Sequence, residues 1–444
     1  MKVPAVPPKL TDLLNANAAR LPEILVVPLT RRQDVERYLH WDKVRSLTPP
    51  AGLSHEEWWL RLKLERQANR RSLPLTDSAG RHFTLTVTDE ALELLHHIDQ
   101  QAGGQIRMAD SVTNPATRDR YVVSSLIEEA ITSSQLEGAV TSRRQAKELL
   151  RSGRPPRDRS EQMIANNYLA MRHISTLTGH PLSDAAIFDL HRMLTSGTLD
   201  DPTAAGRLQR PDEQRVKVRG DGDQVLHAPP PARELPRRLD AMCRFANGQN
   251  DDRWLHPVLR AVILHFWLGF DHPFEDGNGR TARALFYWAM LRQGYWLAEF
   301  LTISSILRKA PAQYARSFLL TETDDNDLTY FVLYQLRVIT RAIDSLQDYL
   351  QRKMGEVRDL EALMKGAVLN HRQRALLAHA LRDGGATYTI GSHQATHSVV
   401  YQTARTDLLD LAARGLLSQL KHGNKFVFTV PADLADRLRR LAGY

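Results

Sequence analysis

The stretch Asp271–Arg283, DHPFEDGNGRTAR, separates two helical segments. The segment before it, HPVLRAVILHFWLGF (256–270), is apolar on all sides, which predicts a helix in the protein core. Pro273 and the glycines then break that helix, and TARALFYWAMLRQG (281–294) resumes a helical pattern. The sequence therefore predicts two helices joined by a glycine loop.

The loop carries the residue types of a phosphate-binding site. A glycine loop that opens a helix presents free backbone N–H groups at the positive end of the helix dipole. Asn278 can add an amide donor, while Arg280 and Arg283, one helical turn apart, offer forked donors for a polyphosphate. Asp276 can supply an oxygen ligand to Mg²⁺. The near-neutral pKa of a histidine suits His272 to removing a proton from a hydroxyl.

Three other interpretations of this stretch are weaker. GNGRTA matches the dinucleotide fingerprint G-x-G-x-x-A, but that motif needs a preceding strand, and a helix is predicted here. A metal site built from His256, His265 and His272 is disfavoured because their spacing does not line one helix face. A plain turn has no need of two arginines one turn apart, or of a histidine ahead of it.

The segment HPFEDGNGRTAR resembles the Fic family, because it matches every fixed position of the family motif H-x-F-x-[DE]-G-N-G-R-x-x-R. Fic proteins are helical enzymes, most of which transfer AMP from ATP to a protein hydroxyl. The resemblance implies ATP and Mg²⁺ as cofactors, with these roles: His272 as general base, Phe274 as core anchor, Asp276 as Mg²⁺ ligand, Gly277, Asn278, Gly279 and Arg280 as phosphate cradle, and Arg283 on the γ-phosphate. Asp271 departs from the family, which usually has an apolar residue there; it either orients His272 or is solvated.

A second helical segment ends in a carboxylate. DRYVVSSLIEEAITSSQLEG (119–138) has an apolar helical period that Gly138 closes. Ser133 and Glu137 share one face, and Glu137 lies at the negative end of the helix dipole, so a partner cation is expected.

SSQLEG (133–138) also fits the inhibitory motif [ST]-x-x-x-E-[GN] of the Fic family. The resemblance implies that Glu137 pairs with Arg283, occupies the γ-phosphate position and inhibits the enzyme. An alternative keeps Glu137 in the reaction, where it would position a water molecule to remove AMP from a modified protein.

Residues 207–228 predict a lone β-hairpin among helices. Val216 and Val218 alternate with charged residues such as Lys217, and a Gly-Asp-Gly-Asp turn (220–223) follows. The open edge of such a hairpin can receive an extended peptide. The segment matches the place of the target-binding flap of Fic proteins.

We predict a mainly α fold with four regions: an accessory domain (1–110), a helical Fic core (111–345), a connector helix (346–365) and a C-terminal domain (366–444). The C-terminal order of helix, helix and hairpin resembles a winged helix. DNA binding would use Ser398, Tyr401, Gln402 and Arg405 in the groove and Lys421 and Lys425 on phosphates. Protein contact, including a homodimer, is the alternative use. A DNA-binding regulator whose Fic core only senses nucleotide is the non-enzyme alternative.

Composition limits the remaining choices. The chain has 444 residues, 42% of them hydrophobic, and a net charge of +8, which favours an acidic partner such as nucleotide or nucleic acid. A single cysteine, Cys243, rules out an intrachain disulfide. No signal peptide or long apolar run is present in the sequence, so we expect a cytoplasmic protein without a membrane partner. The expected partner is a target protein with a Ser, Thr or Tyr hydroxyl, or the protein itself.

Overall fold

The computed structural model describes residues 3–27, 38–103, 115–219, 225–249, 253–364, 368–382, 386–422 and 425–441. The chain divides into two compact units, residues 1–346 and 347–444. Helices dominate both units, which confirms the predicted mainly α fold.

The first unit contains the predicted helices around the glycine loop. Its helices are α1 (Leu10–Ala16), α2 (Leu21–Val26), α3 (Trp41–Val44), α4 (His55–Gln67), α5 (Asp89–Ile98), α6 (Pro115–Leu136), α7 (Arg143–Ser152), α8 (Arg159–Leu177), α9 (Asp184–Thr195), α10 (Leu235–Ala246), α11 (Pro257–Asp271), α12 (Asn278–Arg292), α13 (Ile303–Lys309), α14 (Pro311–Thr323) and the first part of α15 (Thr329–Met364), which continues past residue 346. Its strands are β1 (Arg70–Thr76), β2 (His82–Thr86), β3 (Val218–Arg219) and β4 (Val225–His227).

Helix α11 lies at the centre of this unit. Nearly all of its side chains are buried, as its apolar sequence predicts. Phe266 is surrounded by aromatic rings and lies 4.9 Å from Phe318 and 5.0 Å from Phe331 between ring centroids. Helix α12 packs along α11, so the loop between them has little freedom to move away from the core.

The segment before residue 104 packs onto α11 through a β-hairpin. Strands β1 and β2 pair antiparallel, and Phe83 of β2 lies 4.9 Å from the ring of Phe270. Strand β1 was not predicted from the sequence, because Pro74 and four charged or polar residues obscure its alternation. The segment thus supports the carboxyl-terminal turn of α11.

Helix α6 begins at Pro115, earlier than the predicted start at residue 119, and ends one residue before Glu137. Two neighbouring helices hold it in place. The Ser134 hydroxyl donates to the Met163 carbonyl of α8 at 3.2 Å. Buried Glu129 accepts a hydrogen bond from the Ser304 backbone N–H of α13 at 3.1 Å.

The flap hairpin forms, but its strands are shorter than predicted. Val218 pairs with His227, while Val216 and Lys217 precede β3 in irregular structure. Val216 and Val218 are each 37% exposed, so both apolar side chains are accessible. The predicted Gly-Asp-Gly-Asp turn lies outside the described residues.

The second unit adds elements that the sequence did not predict. Its elements are α16 (His371–Arg382), β5 (Thr387–Thr389), α17 (Ile390–His397), α18 (Tyr401–Ala413), β6 (Ser418–His422), β7 (Lys425–Thr429) and α19 (Leu434–Leu441). The three strands form an antiparallel sheet in the order β5-β7-β6. Strand β5 and helices α17 and α19 were missed because each has eight residues or fewer. The predicted connector is the end of the long helix α15.

The winged-helix and DNA-binding assignments of this unit stay predictions. The side chains singled out from the sequence, Ser398, Tyr401, Gln402 and Arg405, are all exposed, and so is Lys421. The Lys425 side chain and the turn residues 423–424 lie outside what the structure describes. In the described parts of the chain, no helix is both long and apolar enough to cross a bilayer.

A buried ion pair that joins α4 to the core generates a stability prediction. Nζ of Lys63 lies 2.7 Å from Oδ1 of buried Asp324 and 3.0 Å from Oδ2 of exposed Asp325. We expect Asp324→Asn to lower the free energy of unfolding by roughly 3 kcal/mol, because a buried ammonium loses its buried counter-charge. The matched change Asp325→Asn should cost less than about 1 kcal/mol, since that carboxylate is in water.

The measurement is urea unfolding followed by tryptophan fluorescence, which reports on the first unit because all seven tryptophans lie in residues 1–346. Equal costs for the two variants would contradict the prediction.

Candidate functional site

His272 ends α11 and begins the loop. It adopts a left-handed conformation (φ 46°), and its backbone N–H donates to the Leu268 carbonyl at 3.0 Å. Nδ1 faces the Gly269 carbonyl at 3.4 Å, an acceptor that favours the proton on Nδ1 and leaves the Nε2 lone pair free. Burial, followed by the nearby charge of His227, lowers the pKa of His272 to about 4. The imidazole is therefore neutral and able to accept a proton at physiological pH.

Asp271 has a different role from both that were predicted. Its carboxylate accepts from Nε of Arg238 at 2.9 Å and from the indole N–H of Trp267 at 3.0 Å. The residue is only 3% exposed, so it is not solvated, and these two partners occupy its carboxylate oxygens. A buried ion pair with α10 explains why an acidic residue can stand before His272 in an apolar core.

Asn278 closes the loop instead of facing a ligand. Its Oδ1 accepts from the Phe274 backbone N–H at 2.9 Å, and its Nδ2 donates to the Phe274 carbonyl at 2.8 Å. This side-chain amide was expected to donate to phosphate, whereas the structure uses its Oδ1 and one N–H of its Nδ2 to fold the loop.

Phe274 is fully buried, as predicted for a core anchor, and a histidine lies beneath it. The His191 ring stacks on Phe274 with centroids 3.8 Å apart. The Gly206 N–H donates to Nδ1 of His191 at 2.9 Å, so Nε2 carries the proton and donates to the Asp276 carbonyl at 2.9 Å. His191 thus supports the loop from below. The sequence analysis missed it, because a histidine in an amphipathic helix carries no mark of such a role.

Arg280 also lies beneath the loop. The residue is 1% exposed, and its Nη1 donates to the Leu194 carbonyl in the last turn of α9 at 2.9 Å. Its Nη2 lies 3.4 Å from Oδ2 of Asp276. The side chain was predicted to cradle phosphate, whereas the structure uses it to join α12 to α9 and to support Asp276.

The amino end of α12 is open to an anion. Gly277 precedes it in a left-handed conformation (φ 79°), and no side chain caps the helix. The N–H groups of the first turn therefore lack carbonyl partners within the helix. Gly279 lets another group approach closely: a Cβ added there would collide with Oε1 of Glu137 and lie 3.0 Å from its Cδ. The Glu137 carboxylate thus lies over the positive end of α12.

Glu137 and Arg283 form the predicted ion pair. Nη2 of Arg283 donates to Oε1 of Glu137 at 2.9 Å, across a sequence separation of 146 residues. Ser133 completes the contact, since its hydroxyl accepts from Nε of Arg283 at 2.9 Å and its carbonyl from Nη2 at 3.1 Å. Arg283 is 1% exposed, and although burial alone lowers the pKa of Arg283, the Glu137 charge raises it. Gly138 follows in a left-handed conformation (φ 93°), which lets the chain turn away after Glu137.

Asp276 fits a metal ligand that acts together with a substrate. Its side chain is 42% exposed and stands at the mouth of the loop, where Oδ1 accepts from its own neighbour, the Gly277 N–H, at 2.6 Å. The described residues contain no cluster of three or more metal-ligating side chains. A Mg²⁺ ion at Asp276 would therefore take its other ligands from substrate phosphates and water, as Mg²⁺ commonly does.

The other two histidines considered as metal ligands, in α11 and just before it, have structural partners. Nε2 of His265 lies 2.8 Å from the Tyr314 hydroxyl, and Nε2 of His256 lies 3.0 Å from Asp99. They do not converge with His272, which agrees with the weak case for a histidine metal site. Three further residues near His272 were missed by the sequence analysis: Arg215, His227 and Arg238.

Part of the chain is similar to known proteins. Residues 181–290 match the model of the Fic/DOC family. The chain is 33% identical over 129 residues to the protein adenylyltransferase Fic of Drosophila sechellia, and equally to that of Drosophila melanogaster. Each alignment covers 29% of this chain and 24% of the relative, so the chain spans about a quarter of the length of these curated relatives.

Among solved structures, the chain is similar to a Fic family protein from Desulfovibrio desulfuricans G20, with a TM-score of 0.52 and 19% identity. That match covers 78% of this chain and 97% of the other. The likeness at this identity concerns the fold.

The closed loop generates a prediction about Asn278. We expect Asn278→Asp to lower the free energy of unfolding by about 1–3 kcal/mol, because a carboxylate cannot donate to the buried Phe274 carbonyl. Hydrogen exchange in the loop 272–283 should also accelerate. Asn247→Asp is the matched control, since Asn247 makes the same pair of bonds to the backbone of Leu182, each 2.8 Å long, away from the loop.

Urea unfolding and hydrogen exchange read by mass spectrometry measure the two effects. The role given to Asn278 is wrong if its variant leaves exchange in the loop as slow as the control does.

Proposed function

Because the chain carries a Fic domain, we propose that it is a protein adenylyltransferase, which transfers AMP from ATP to a hydroxyl group of a target protein. The observation that carries the proposal is the loop between α11 and α12. It joins a neutral histidine base to the uncapped amino end of a helix within a few residues. A base beside an anion site is what hydroxyl attack on a phosphate needs.

The reaction proceeds by displacement at the α-phosphorus of ATP. The target hydroxyl oxygen forms a bond to the α-phosphorus, the bond from that phosphorus to the bridging oxygen breaks, and pyrophosphate leaves. Nε2 of His272 takes the hydroxyl proton, since Nδ1 faces the Gly269 carbonyl. Catalysis then depends mainly on positioning and on electrostatic stabilisation of the phosphates.

The phosphates are bound by backbone and side-chain donors at the amino end of α12. The N–H groups of Asn278, Gly279 and Arg280 are in the first turn, and Gly279 leaves room for close approach. Arg283 binds the γ-phosphate with its guanidinium. Mg²⁺ held by Asp276 would neutralise part of the phosphate charge.

Glu137 inhibits the enzyme by taking the place of the γ-phosphate. Its carboxylate already binds Arg283 and lies over Gly279, so Glu137 and a γ-phosphate would compete for the same donors. ATP bound alongside Glu137 would be displaced from the orientation that in-line attack requires. Ser133 supports the inhibited state by binding Nε of Arg283.

The target binds along the flap. Val216 and Val218 are accessible apolar side chains beside the charged Lys217, and β3 pairs with β4 on one side. An extended target segment that adds to the hairpin through backbone hydrogen bonds would bring its Ser, Thr or Tyr hydroxyl to His272.

Removal of the inhibitory carboxylate provides the main test. With α-labelled ATP, we expect Glu137→Gly to label itself or a lysate protein at least about tenfold faster than wild type does. A tenfold change corresponds to ~1.4 kcal/mol, here the cost of competition between Glu137 and the γ-phosphate for Arg283. Adding His272→Ala should reduce that labelling by about 100- to 10,000-fold, the usual contribution of a general base. Glu128→Ala is the control, because Glu128 lies on the same helix but pairs with Arg143.

If Glu137→Gly labels no more than wild type, inhibition by Glu137 is wrong. If neither labels any protein while ATP still binds, the transferase proposal is wrong. The alternative reaction, removal of AMP, predicts that a modified protein loses AMP only when Glu137 is present.

The pKa of His272 predicts the acid side of the pH profile. Burial lowers the pKa of His272 to about 4, so its basic form persists well below the ordinary value of 6.5. Glu137 raises this pKa by its charge, so its removal lowers the pKa further. For Glu137→Gly, kcat/KM should therefore stay level from pH 7 down to pH ~5. A fall centred near pH 6.5 would contradict the assignment, and circular dichroism at each pH checks that the protein remains folded.

A further inference from the structure

The carboxyl end of α11 is capped by two cationic side chains of the flap. The last four carbonyls of a helix have no partner within the helix and need other donors when buried. His272 itself covers two of them, through its N–H on the Leu268 carbonyl and Nδ1 facing the Gly269 carbonyl. Nε2 of His227 lies 2.7 Å from the Phe270 carbonyl, and Nη2 of Arg215 donates to the Asp271 carbonyl at 2.6 Å.

Arg215 also joins the two chain segments that lead into and out of the flap. Its Nε donates to the Pro230 carbonyl at 2.8 Å, and its Nη1 donates to the side chain of Gln209. The Gln209 N–H in turn donates to the Pro273 carbonyl at 2.9 Å, directly after His272. One guanidinium thus contacts both chain segments of the hairpin and the end of α11.

The surroundings of His227 require its doubly protonated form. Nε2 faces the Phe270 carbonyl at 2.7 Å, and Nδ1 faces Oε2 of Glu322 on α14 at 2.8 Å. With Glu322 ionised, both partners are acceptors only, so both hydrogen bonds exist only when each ring nitrogen carries a proton. The residue is 8% exposed, which leaves little access for water to replace a lost bond.

We propose that Arg215 and His227 are positioning residues that hold the flap against the carboxyl end of α11 beside His272, and that His227 does so as an imidazolium. Two cations at the negative end of α11 are electrostatically favourable. The same two cations favour the neutral form of His272, since both lower its pKa. This attachment of the flap therefore fixes the place of the target relative to His272. The two charges add to burial, the main cause of the low pKa of His272, in keeping its imidazole unprotonated.

The proposal makes the attachment of the flap sensitive to alkaline pH. Burial alone lowers the pKa of His227, but the hydrogen bond and charge of Glu322 raise it above the ordinary value. The other titratable groups that face His227 are Asp271 and His272 of α11. Because the folded pKa is the higher one, the stabilisation is complete below the unfolded value of about 6.5 and is lost as pH rises through the folded pKa.

The test combines three readouts on the full chain. In an NMR titration, the ring Cε1–H of His227 should titrate above pH 6.5 in wild type and at lower pH in Glu322→Gln. The amide protection factors of residues 207–219 and 225–228 should fall with rising pH in wild type. In Glu322→Gln these protection factors should become nearly independent of pH. A neutral His227 can then accept a hydrogen bond from the new side-chain amide at position 322 and still donate to the Phe270 carbonyl.

His227→Gln should lower the protection factors of this segment about tenfold at pH 6, because one of two buried hydrogen bonds is lost. The matched control is His180→Gln, since His180 is exposed and its ring has no part in the site. In a Glu137→Gly background, His227→Gln should raise the KM for the protein target about tenfold and change kcat less, with an unchanged Kd for ATP. Arg215→Lys keeps the positive charge but loses the several N–H donors of the planar guanidinium, so it should lower the amide protection factors of the same segment.

The kinetic readout alone rests on the proposed function. If no variant transfers AMP but the titration and exchange results are as expected, the positioning role stands and the transferase proposal fails. If AMP transfer occurs but His227 titrates below pH 6.5, or if Glu322→Gln leaves the pH dependence of exchange intact, the role of His227 is overturned. Unchanged protection in both His227→Gln and Arg215→Lys would overturn the whole proposal.

Discussion

The burial of α11 on every side is the constraint on which the rest of the site depends. A helix that ends inside the protein leaves its last carbonyls without water, so protein donors must reach them. His272 meets this need by turning into the left-handed conformation and donating back to Leu268. The base is thereby placed at the end of the helix by the same hydrogen bond that terminates it. Arg215 and His227 supply the remaining donors.

The two helix ends that meet at the loop have opposite polarity. The carboxyl end of α11 attracts cations, while the amino end of α12 attracts anions. In this structure the anion is Glu137, bound to Arg283 and seated over Gly279. The γ-phosphate that we propose for the active state carries the same sign of charge and needs the same donors. Under that proposal, a single arginine determines whether the enzyme is inhibited, because it cannot bind both groups at once.

The loop is rigid because most of its polar side chains are used internally. Asn278 bonds to the backbone of Phe274, Arg280 reaches the carbonyl of Leu194, and His191 supports Asp276 from below. These contacts leave the backbone N–H groups, Asp276 and Arg283 as the groups available to a ligand. Such preorganisation lowers the cost of orienting phosphates and water in a reaction that depends on positioning.

The helix–loop–helix around His272 follows from the residues themselves, and the resemblance to the Fic motifs implied the pairing of Glu137 with Arg283. Residues that are adjacent in a motif remain adjacent in any fold, and the motif resemblance related the two distant segments. It also indicated the hairpin, although not the length of its strands. The folded chain was needed to show what Asn278, Arg280 and Asp271 contact, and that His191, Arg215 and His227 lie at the site. Those tasks depend on which buried carbonyls and charges surround each side chain, and burial arises from contacts between segments far apart in sequence.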